Sequence, residues 1–323
     1  MDANDRITSR LKVSDLRLLS AVVQSGGMAK AAAQLNISQP AVSKAIAALE
    51  HTLGVRLLDR TSRGVEPTSY GHAILKRGIA IFDELRQGVN DIKFLSDPNI
   101  GEVRIGSNPT SAETLLPLFI RRFAQQYPRV VLHIDLVPRV GQYLSGLRDR
   151  KYDLIIERSM LPLADDPHMA DLKVEPLFHD QLVVAAGAHN RWARRRKVDL
   201  AELVNEPWIF SGPNSWNYSS LLEAFKARGI TPPNASIVTS SVPLRFYLLA
   251  NGPYLTSTSN SSVWLSPNRR SLKILHVDLP IRPWPFAIFA LKNRSLSPVV
   301  ERFIECAREV AKSIAISPRS RNP

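Results

Sequence analysis

The sharpest hydrophobic pattern in the chain lies between residues 28 and 53. Four apolar residues at spacings i, i+4, i+7 and i+11 share one narrow arc: Val42, Ile46, Leu49 and Leu53. This spacing predicts an amphipathic helix. The alanine-rich segment Met28–Leu35 before it predicts a shorter helix that ends in a turn at Asn36. Because Ser38 suits the N-cap of the second helix and Pro40 its first turn, the pattern predicts two helices joined by a tight turn.

A second helical pattern runs from residue 69 to residue 96, a stretch without internal proline. Six apolar residues recur there at spacings of three and four: Leu75, Ile79, Phe82, Leu85, Val89 and Ile92. We expect one long helix whose apolar stripe can pair with a second copy of itself. Asp97, Pro98 and Asn99 then interrupt the pattern.

From Gly101 onward, short apolar runs alternate with helical patterns. The predicted strands are 103–105, 130–136, 154–156, 181–186, 236–238, 254–256 and 285–291. The predicted helices are 115–126, 140–148, 219–228, 242–250 and 298–313. This alternation is typical of domains built on parallel sheets, so the predicted fold class is α/β.

The length of the chain, 323 residues, corresponds to about two domains. No apolar run reaches the length of a membrane span, and the first ten residues, MDANDRITSR, lack the apolar stretch of a signal peptide. We therefore expect a cytoplasmic protein with no membrane partner. The single cysteine, Cys306, excludes an internal disulfide, and its helical context predicts a small buried hydrophobe.

The net charge of +13 suggests a polyanion as a partner. However, residues 1–98 carry only 13 Lys and Arg against 10 Asp and Glu, so most of the surplus lies in residues 99–323. The basic stretch 191–197 predicts a solvated loop, with a second DNA contact or a partner surface as the alternative. A DNA-binding interpretation must therefore rest on a motif and on the positions of individual charges.

The face of the second helix opposite its apolar arc carries mostly compact residues, which suits a helix that lies flat in a major groove. Gln39, Ser43 and Lys44 can hydrogen-bond base edges, and Lys44 can instead reach a phosphate. The helix-turn-helix spans residues 28–47. The residues expected at DNA are Ser38, Gln39, Pro40, Ala41, Ser43, Lys44 and Ala47. The alternative is an amphipathic surface helix after a tight turn, which many proteins contain.

Residues 57–68 directly follow this motif and predict a two-stranded hairpin, or wing. Arg60 and Arg63 bracket its turn, where they can contact the sugar-phosphate backbone or enter the minor groove. A solvated hairpin is the alternative, but the position directly after the helix pair favours a role at DNA.

The N-terminal residues together resemble the LysR-type transcriptional regulators. The resemblance is carried, at fixed spacing, by Ala31-Ala32, Leu35, Ser38-Gln39-Pro40-Ala41-Val42-Ser43, Leu49-Glu50, Leu53-Gly54-Val55, Leu57-Leu58, Arg60, Arg63, Thr68 and Gly71. Leu58, Pro67 and Tyr70 depart from the family pattern, and Pro67 is expected to shorten the second strand of the wing.

This resemblance implies a winged helix-turn-helix over residues 11–68, a linker and dimerisation helix over 69–98, and an effector-binding domain over 99–313. The effector domain would resemble periplasmic binding proteins, with two α/β lobes around a small-molecule effector. The first lobe would comprise about 99–168 and 266–313, and the second about 169–265. The family forms homodimers and homotetramers, and the effector domain also resembles the branch named for a regulator of a galactose-binding protein.

Ligands of open α/β sheets lie beyond the carboxyl ends of the strands. The polar residues expected to bind the effector are Ser107, Asn108, Thr110 and Ser111 in the first lobe, with Ser211, Ser241 and Arg245 in the second. The resemblance places Asn108 and Thr110 at positions that contact effectors in the family. Helix capping by Thr110 or Ser111 is an alternative that does not exclude binding. Four aromatic residues predict either core or pocket lining: Trp208, Trp216, Tyr218 and Trp264.

The sequence contains no phosphate-binding loop, nucleophile elbow or zinc-protease motif, and its seven histidines lack metal-ligand spacing. We therefore expect neither a cofactor nor a metal. The expected partners are double-stranded DNA with an interrupted palindrome, a small-molecule effector, a second copy of the chain and, for an activator, RNA polymerase. The alternative function is a two-lobed ligand-binding protein or small-molecule enzyme whose N-terminal helices serve oligomerisation.

Overall fold

The structure is a computed structural model that describes residues 3–61, 64–137, 140–158, 169–213 and 215–316. Its elements fall into two units that part between Val89 and Asn90. Across the described ranges, no helix is both long and apolar enough to cross a bilayer.

The first unit is a set of helices followed by a two-stranded wing. Its elements are α1 (Ala3–Arg10), α2 (Val13–Ser25), α3 (Met28–Leu35), α4 (Gln39–Leu53), β1 (Leu58–Thr61), β2 (Gly64–Pro67) and the start of α5 (Ser69–Ser96). The predicted helix pair is confirmed, because α3 ends at Leu35 and α4 begins at Gln39 after Asn36 adopts a left-handed φ of 58°. Asparagine tolerates this conformation better than most residues, which explains the tight turn.

The core of the first unit forms where the apolar arc of α4 meets α2, α3 and the wing. Its fully buried members include Leu19, Val22, Ala31, Val42, Ile46, Leu49 and Leu57. Burial of each larger side chain contributes about 1.5–3 kcal/mol, so this arc fixes which face of α4 is turned outward. The sequence pattern did not predict α1, which is short and has Ile7 as its one large apolar residue.

The second unit alternates strands and helices after the end of α5. The elements up to the first crossover are β3 (Gly101–Ser107), α6 (Pro109–Thr114), α7 (Leu116–Gln126), β4 (Val130–Leu136), α8 (Val140–Arg148), β5 (Leu154–Arg158) and β6 (Leu172–Asp180). The remaining elements are β7 (Leu182–Gly187), β8 (Trp208–Phe210), α9 (Trp216–Ala227), β9 (Ala235–Val238), α10 (Val242–Asn251), β10 (Leu255–Ser259), α11 (Asn260–Leu265), β11 (Leu272–Leu275), β12 (Trp284–Leu291) and α12 (Pro298–Ile316).

Two five-stranded sheets define two lobes of this unit. The first sheet has the order β4-β3-β5-β12-β6, in which β3 is parallel to β4 and β5 while β12 is antiparallel to β5 and β6. The second has the order β11-β7-β10-β8-β9, in which β8 is parallel to β9 and β10. The α/β class and the two-lobed architecture predicted from the sequence are therefore confirmed.

The lobe boundaries differ from those expected. Residues 172–180 form β6 and pair with β12 in the first sheet, whereas residues 272–275 form β11 and pair with β7 in the second. The chain therefore crosses between lobes at Gln181 and again between Leu275 and Trp284, not near residues 168 and 265. The expected boundaries were wrong because β6 and β11 were not recognised as strands.

Each lobe has an aromatic core. In the first lobe, Phe123 packs edge-on against Phe303 of α12, with ring centroids 5.1 Å apart. In the second, Trp208 meets Phe225 in the same manner at 6.0 Å. Edge-to-face pairs of this kind stabilise the fold by about 0.5–1.5 kcal/mol beyond the contribution of burying the two rings. Cys306 lies in the first-lobe core, as expected, and burial raises the pKa of its thiol.

Candidate functional site

The start of α4 is set by local hydrogen bonds. Ser38 has an extended backbone, and its Oγ accepts a hydrogen bond from the backbone N–H of Ala41 at 3.4 Å. Pro40 lies in the first turn, where its missing N–H has no intrahelical partner to lose. The predicted capping role of Ser38 is confirmed, and it fixes the direction in which the first turn of α4 points.

The outward face of α4 is the face predicted to meet DNA. The exposed residues of α4 are Gln39, Pro40, Ala41, Lys44, Ala47, Ala48 and His51. Alanine and proline have short side chains, so the exposed polar groups in the first two turns of α4 are those of Gln39 and Lys44, while His51 is exposed near its C-terminal end. The arrangement presents an amide and an ammonium group above a smooth helix surface, which suits base and phosphate contacts in a major groove.

Ser43 differs from the other predicted DNA-facing residues. It is half-buried, and its hydroxyl donates a hydrogen bond to Sδ of Met28 at 3.1 Å. Because this contact joins α4 to α3, the hydroxyl of Ser43 is turned toward the helix pair rather than outward. Its geometry favours a structural role within the motif over the base contact expected from the sequence.

The wing follows α4 as an antiparallel hairpin. Leu58 pairs with Pro67, and Arg60 pairs with Val65. Pro67 was expected to shorten the second strand, but that strand extends through Pro67, so this expectation was wrong. The side chain of Arg60 and the whole of Arg63 lie outside the described residues, so their predicted phosphate contacts stay a prediction.

Glu50 attaches the wing to α4. Its Oε1 accepts hydrogen bonds from the backbone N–H groups of Leu57 at 2.7 Å and Leu58 at 3.2 Å. Val65 of the second strand donates its N–H to the carbonyl of Gly26 at 3.1 Å, which holds the wing against the α2–α3 turn. Sequence reasoning included Glu50 in the resemblance but assigned it no role.

In the first lobe, the predicted effector residues surround the carboxyl end of β3. Ser107 is fully buried and donates its hydroxyl to the carbonyl of Ile156 at 2.8 Å. Asn108 caps α6, because its Oδ1 accepts from the N–H of Ser111 at 2.7 Å while its Nδ2 donates to Glu157. The alternative expectation that Thr110 or Ser111 caps this helix was wrong. Thr110 is half-buried, and its carbonyl accepts from the hydroxyl of Thr114.

In the second lobe, the fold joins two predicted residues that are far apart in sequence. Arg245 of α10 is 1% exposed, and its guanidinium donates to Oγ of Ser211 at 2.7 Å and to the carbonyl of Ser257 at 3.4 Å. Ser241 caps the same helix by accepting from the N–H of Leu244. Burial lowers the pKa of Arg245 to about 10, and the negative charge of Glu113 opposes this shift.

The two lobes contact each other through α6, α10 and α11. α6 of the first lobe packs against α10 and α11 of the second. Glu113 lies on α6, and its partial burial raises the pKa of its carboxyl, while the charge of Arg245 lowers it. The helix that carries Thr110 and Ser111 therefore packs against the helix that carries Arg245.

A further charged group near the crossover was missed by sequence reasoning. Arg158, at the end of β5, forms a buried ion pair with Asp180 at 2.9 Å and stacks over the ring of Trp216, 4.5 Å from its centroid. Asp180 also accepts from the N–H and hydroxyl of Ser261. The available signal was Arg158, two residues after the predicted strand 154–156 and at the end where α/β sheets place their ligands. Asp180 had no such signal, because β6 was not predicted.

The predicted aromatic residues have different surroundings. Trp208 is core and donates its Nε1–H to the carbonyl of Leu203 at 2.8 Å, and Tyr218 packs half-buried against the same core. Trp216 lies beneath Arg158, and Trp264 is partly exposed. A separate open depression of about 630 Å³ on the second lobe is lined by Arg191, Glu206 and residues 249–253, none of which was predicted to bind an effector.

No group of three or more His, Cys, Asp or Glu residues in the described ranges is arranged to hold a metal ion. An outward recognition helix with a wing, followed by a two-lobed α/β unit, defines a DNA-binding protein with a ligand-sensing unit.

Comparison with known proteins agrees with this class. Residues 13–72 match the model for the bacterial regulatory helix-turn-helix protein of the lysR family, and residues 96–312 match the LysR substrate binding domain. The chain belongs to the LysR family of DNA-binding transcriptional regulators.

Individual relatives span most of the chain. The HTH-type transcriptional regulator TdcA of Escherichia coli (strain K12) is 30% identical over 245 residues, 76% of each chain. The HTH-type transcriptional regulator GbpR of Azospirillum brasilense is 28% identical over 298 residues, covering 92% of this chain and 85% of that protein. A crystal structure of full-length CbnR complexed with its target DNA is 22% identical, covers 93% of this chain and 100% of its own, and has a TM-score of 0.53, which shows a shared fold.

Proposed function

We propose that the protein is a homodimeric regulator that reads an interrupted palindrome of double-stranded DNA through α4 and its wing. The observation that carries this proposal is the division of α4 into a buried apolar arc and an exposed face of compact residues. A helix with this surface can approach base edges without steric conflict.

In the proposed mode of DNA recognition, three groups of residues have different roles. Gln39 and Lys44 contact base edges in the major groove, since they are the exposed polar side chains in the first two turns of α4. Ser38, Pro40, Ala41 and Ala47 allow close approach. Arg60 and Arg63 on the wing bind phosphates, which sets the register of the protein on the duplex.

The proposed dimer forms through α5. This helix exposes several large apolar side chains: Ile81, Leu85, Val89, Ile92 and Leu95. Leu95 alone is 81% exposed, and an apolar stripe of this length on a helix is typical of a surface that a partner covers. Pairing through α5 supplies two recognition helices for two half-sites. Homotetramers, a cytoplasmic location, RNA polymerase contact in activation and the absence of enzyme activity follow as proposals from the family.

We also propose that the effector binds between the lobes, near Thr110, Ser111, Ser211 and Arg245. The support is that α6, which carries Thr110 and Ser111, packs against α10, whose Arg245 donates a hydrogen bond to Ser211. An effector can shift the balance between two lobe arrangements only by its differential affinity for them. Its binding would then alter how the paired DNA-binding units engage their half-sites.

The experiment that tests this function is selection of bound sequences from a random DNA pool by the full chain at two salt concentrations. We expect an interrupted palindrome from the natural sequence. A Gln39→Ala, Lys44→Ala double variant should lose the sequence preference, while Lys226→Ala, which removes an exposed charge on α9, should keep it. Recovery of only sequence-blind binding that disappears at higher salt would contradict the proposal, because basic charge alone would then account for DNA affinity.

A further inference from the structure

Among the described residues of the second unit, three arginines are almost completely buried, and two of them have a buried carboxylate partner. Arg294 donates to Asp153 at 2.7 Å, with both side chains fully buried. Arg158 donates to Asp180 at 2.9 Å. Burial of a guanidinium is costly unless an opposite charge and hydrogen bonds compensate for the lost water, and these two pairs follow that rule.

Arg245 is buried without such a carboxylate partner. Among the described residues, no carboxylate lies within ion-pair distance of its guanidinium, which donates to a serine hydroxyl and a carbonyl instead. Its Nε is buried and has no hydrogen-bond partner; the Nε of Arg158 also lacks one, so the missing carboxylate partner is what distinguishes Arg245. A buried cation without a carboxylate partner, next to the carboxyl end of a parallel strand, is typical of a binding group rather than of a structural one.

The position of Arg245 is that of a ligand-binding group. Ser211, its hydroxyl partner, directly follows β8, and β8 is parallel to β9 and β10. The carboxyl ends of parallel strands are where α/β sheets bind ligands. Glu113 lies on α6, which packs against α10, and its charge interacts electrostatically with that of Arg245.

We propose that Arg245 anchors a carboxylate of the effector, and that the effector carries a single such group. The guanidinium matches a carboxylate through paired N–H donors, and Nε is one of the donors such a pair uses. Glu113, on the α6 helix that packs against α10, repels a second negative group and favours an effector whose other groups are neutral or cationic. This inference rests on the proposed effector site between the lobes and adds the chemical class of its ligand.

Three probes of the same carbon number separate the possibilities: lactate, propane-1,2-diol and malonate. Each is titrated into the full chain at constant ionic strength, and the thermal unfolding midpoint is followed. We expect saturable stabilisation by lactate, none by the diol, and weaker binding of malonate than of lactate. Arg245→Gln should weaken lactate binding roughly tenfold or more, since a hydrogen bond to a charged group is lost.

Two further variants keep the test informative if Arg245→Gln does not fold. Arg245→Lys retains the charge but not the planar pair of donors, and we expect several-fold weaker lactate binding. Glu113→Gln should raise the affinity for malonate relative to lactate. Arg191→Gln is the matched control, because it removes an arginine of the same lobe that lines the separate depression.

The outcomes are distinct. Equal lactate binding by Arg245→Gln and the natural sequence, or its loss in Arg191→Gln alone, would overturn the anchor. Stabilisation by the diol that persists in Arg245→Gln would retain a ligand-binding cleft and overturn the carboxylate class. No response to lactate, together with recovery of a palindrome in DNA selection, would overturn the anchor and leave the DNA-binding function intact.

Discussion

The carboxylate of Glu50 joins two parts of the proposed DNA surface, so its replacement by alanine is a sharp test of how that surface is built. Glu50 lies on α4, and its Oε1 accepts from the N–H groups of Leu57 and Leu58, which begin the wing. Both leucines are buried, with 1% and 4% exposure. Removal of the carboxylate therefore leaves two backbone donors without their acceptor in a largely buried place.

The expected loss follows from those two bonds. A hydrogen bond to a charged group contributes about 1.5–3 kcal/mol, and the 3.2 Å bond of Leu58 is the weaker of the two. Because Glu50 is only half-buried, water partly replaces it, and we expect Glu50→Ala to lower the local free energy of opening by about 2–4 kcal/mol. Glu50→Gln keeps an oxygen acceptor without the charge and should lose about 1 kcal/mol.

Amide hydrogen exchange of the full chain, read by mass spectrometry over residues 54–60, measures this opening. The expected loss in Glu50→Ala corresponds to roughly 30- to 700-fold faster exchange at Leu57 and Leu58. Glu66→Ala is the control, because it removes an exposed carboxylate from the second strand of the same wing. Unchanged exchange in Glu50→Ala, or an equal effect in Glu66→Ala, would refute the reasoning that Glu50 holds the wing to α4.

Three further predictions concern DNA binding and assembly. Lys44→Ala should weaken operator binding by about 1–3 kcal/mol, as measured by fluorescence anisotropy, while the control Lys226→Ala should leave binding unchanged. An equal effect of both variants would show that Lys44 makes no base contact. Arg60→Ala should reduce the slope of log affinity against log salt by about one, and an unchanged slope would exclude its phosphate contact. Leu85→Arg with Ile92→Arg should convert dimers to monomers in sedimentation experiments, since each buried apolar side chain contributes about 1.5–3 kcal/mol; a dimer that persists would place the interface elsewhere.

Local signals explain why the helix pair was predictable and β6 was not. The periodicity of α4, the serine cap and the left-handed turn at Asn36 all lie within a few residues of one another. In β6, Pro176 interrupts the strand pattern, and the register against β12 shifts beside it, between Phe286 and Ala287. Proline is unusual inside strands except at edges and bulges, and β6 is an edge strand. Only pairing with a strand about a hundred residues away reveals it.

The proposed effector site also depends on contacts between residues that are distant in the sequence. The sequence predicted Ser211 and Arg245 as separate polar residues near strand ends, but their hydrogen bond joins positions 34 residues apart. Glu113 was not predicted to lie at the site, because nothing in its own segment distinguishes it from a solvated helix residue. Its significance arises from the packing of α6 against α10, which is a product of the two-lobed fold.

The residues that carry the resemblance to LysR-type regulators divide into two groups by their contacts. Glu50, Thr68 and Gly71 hold the wing and the start of α5: the hydroxyl of Thr68 donates to the carbonyl of Arg56 at 2.8 Å and accepts from the N–H of Gly71 at 3.0 Å. An added Cβ at Gly71 would collide with the carbonyl of Leu57, so glycine is required there.

Gln39, by contrast, lies exposed on α4 and contributes no contact to this scaffold among those described for its helix. Glu50, Thr68 and Gly71 therefore shape the surface, whereas Gln39 supplies a side chain that is exposed on it. Because the proposed base contacts of Gln39 and Lys44 lie outside the packing that stabilises the first unit, substitutions at these two positions should change the preferred operator while the unfolding free energy stays within about 0.5 kcal/mol of the natural value. A variant that altered both together would show that readout and scaffold are coupled.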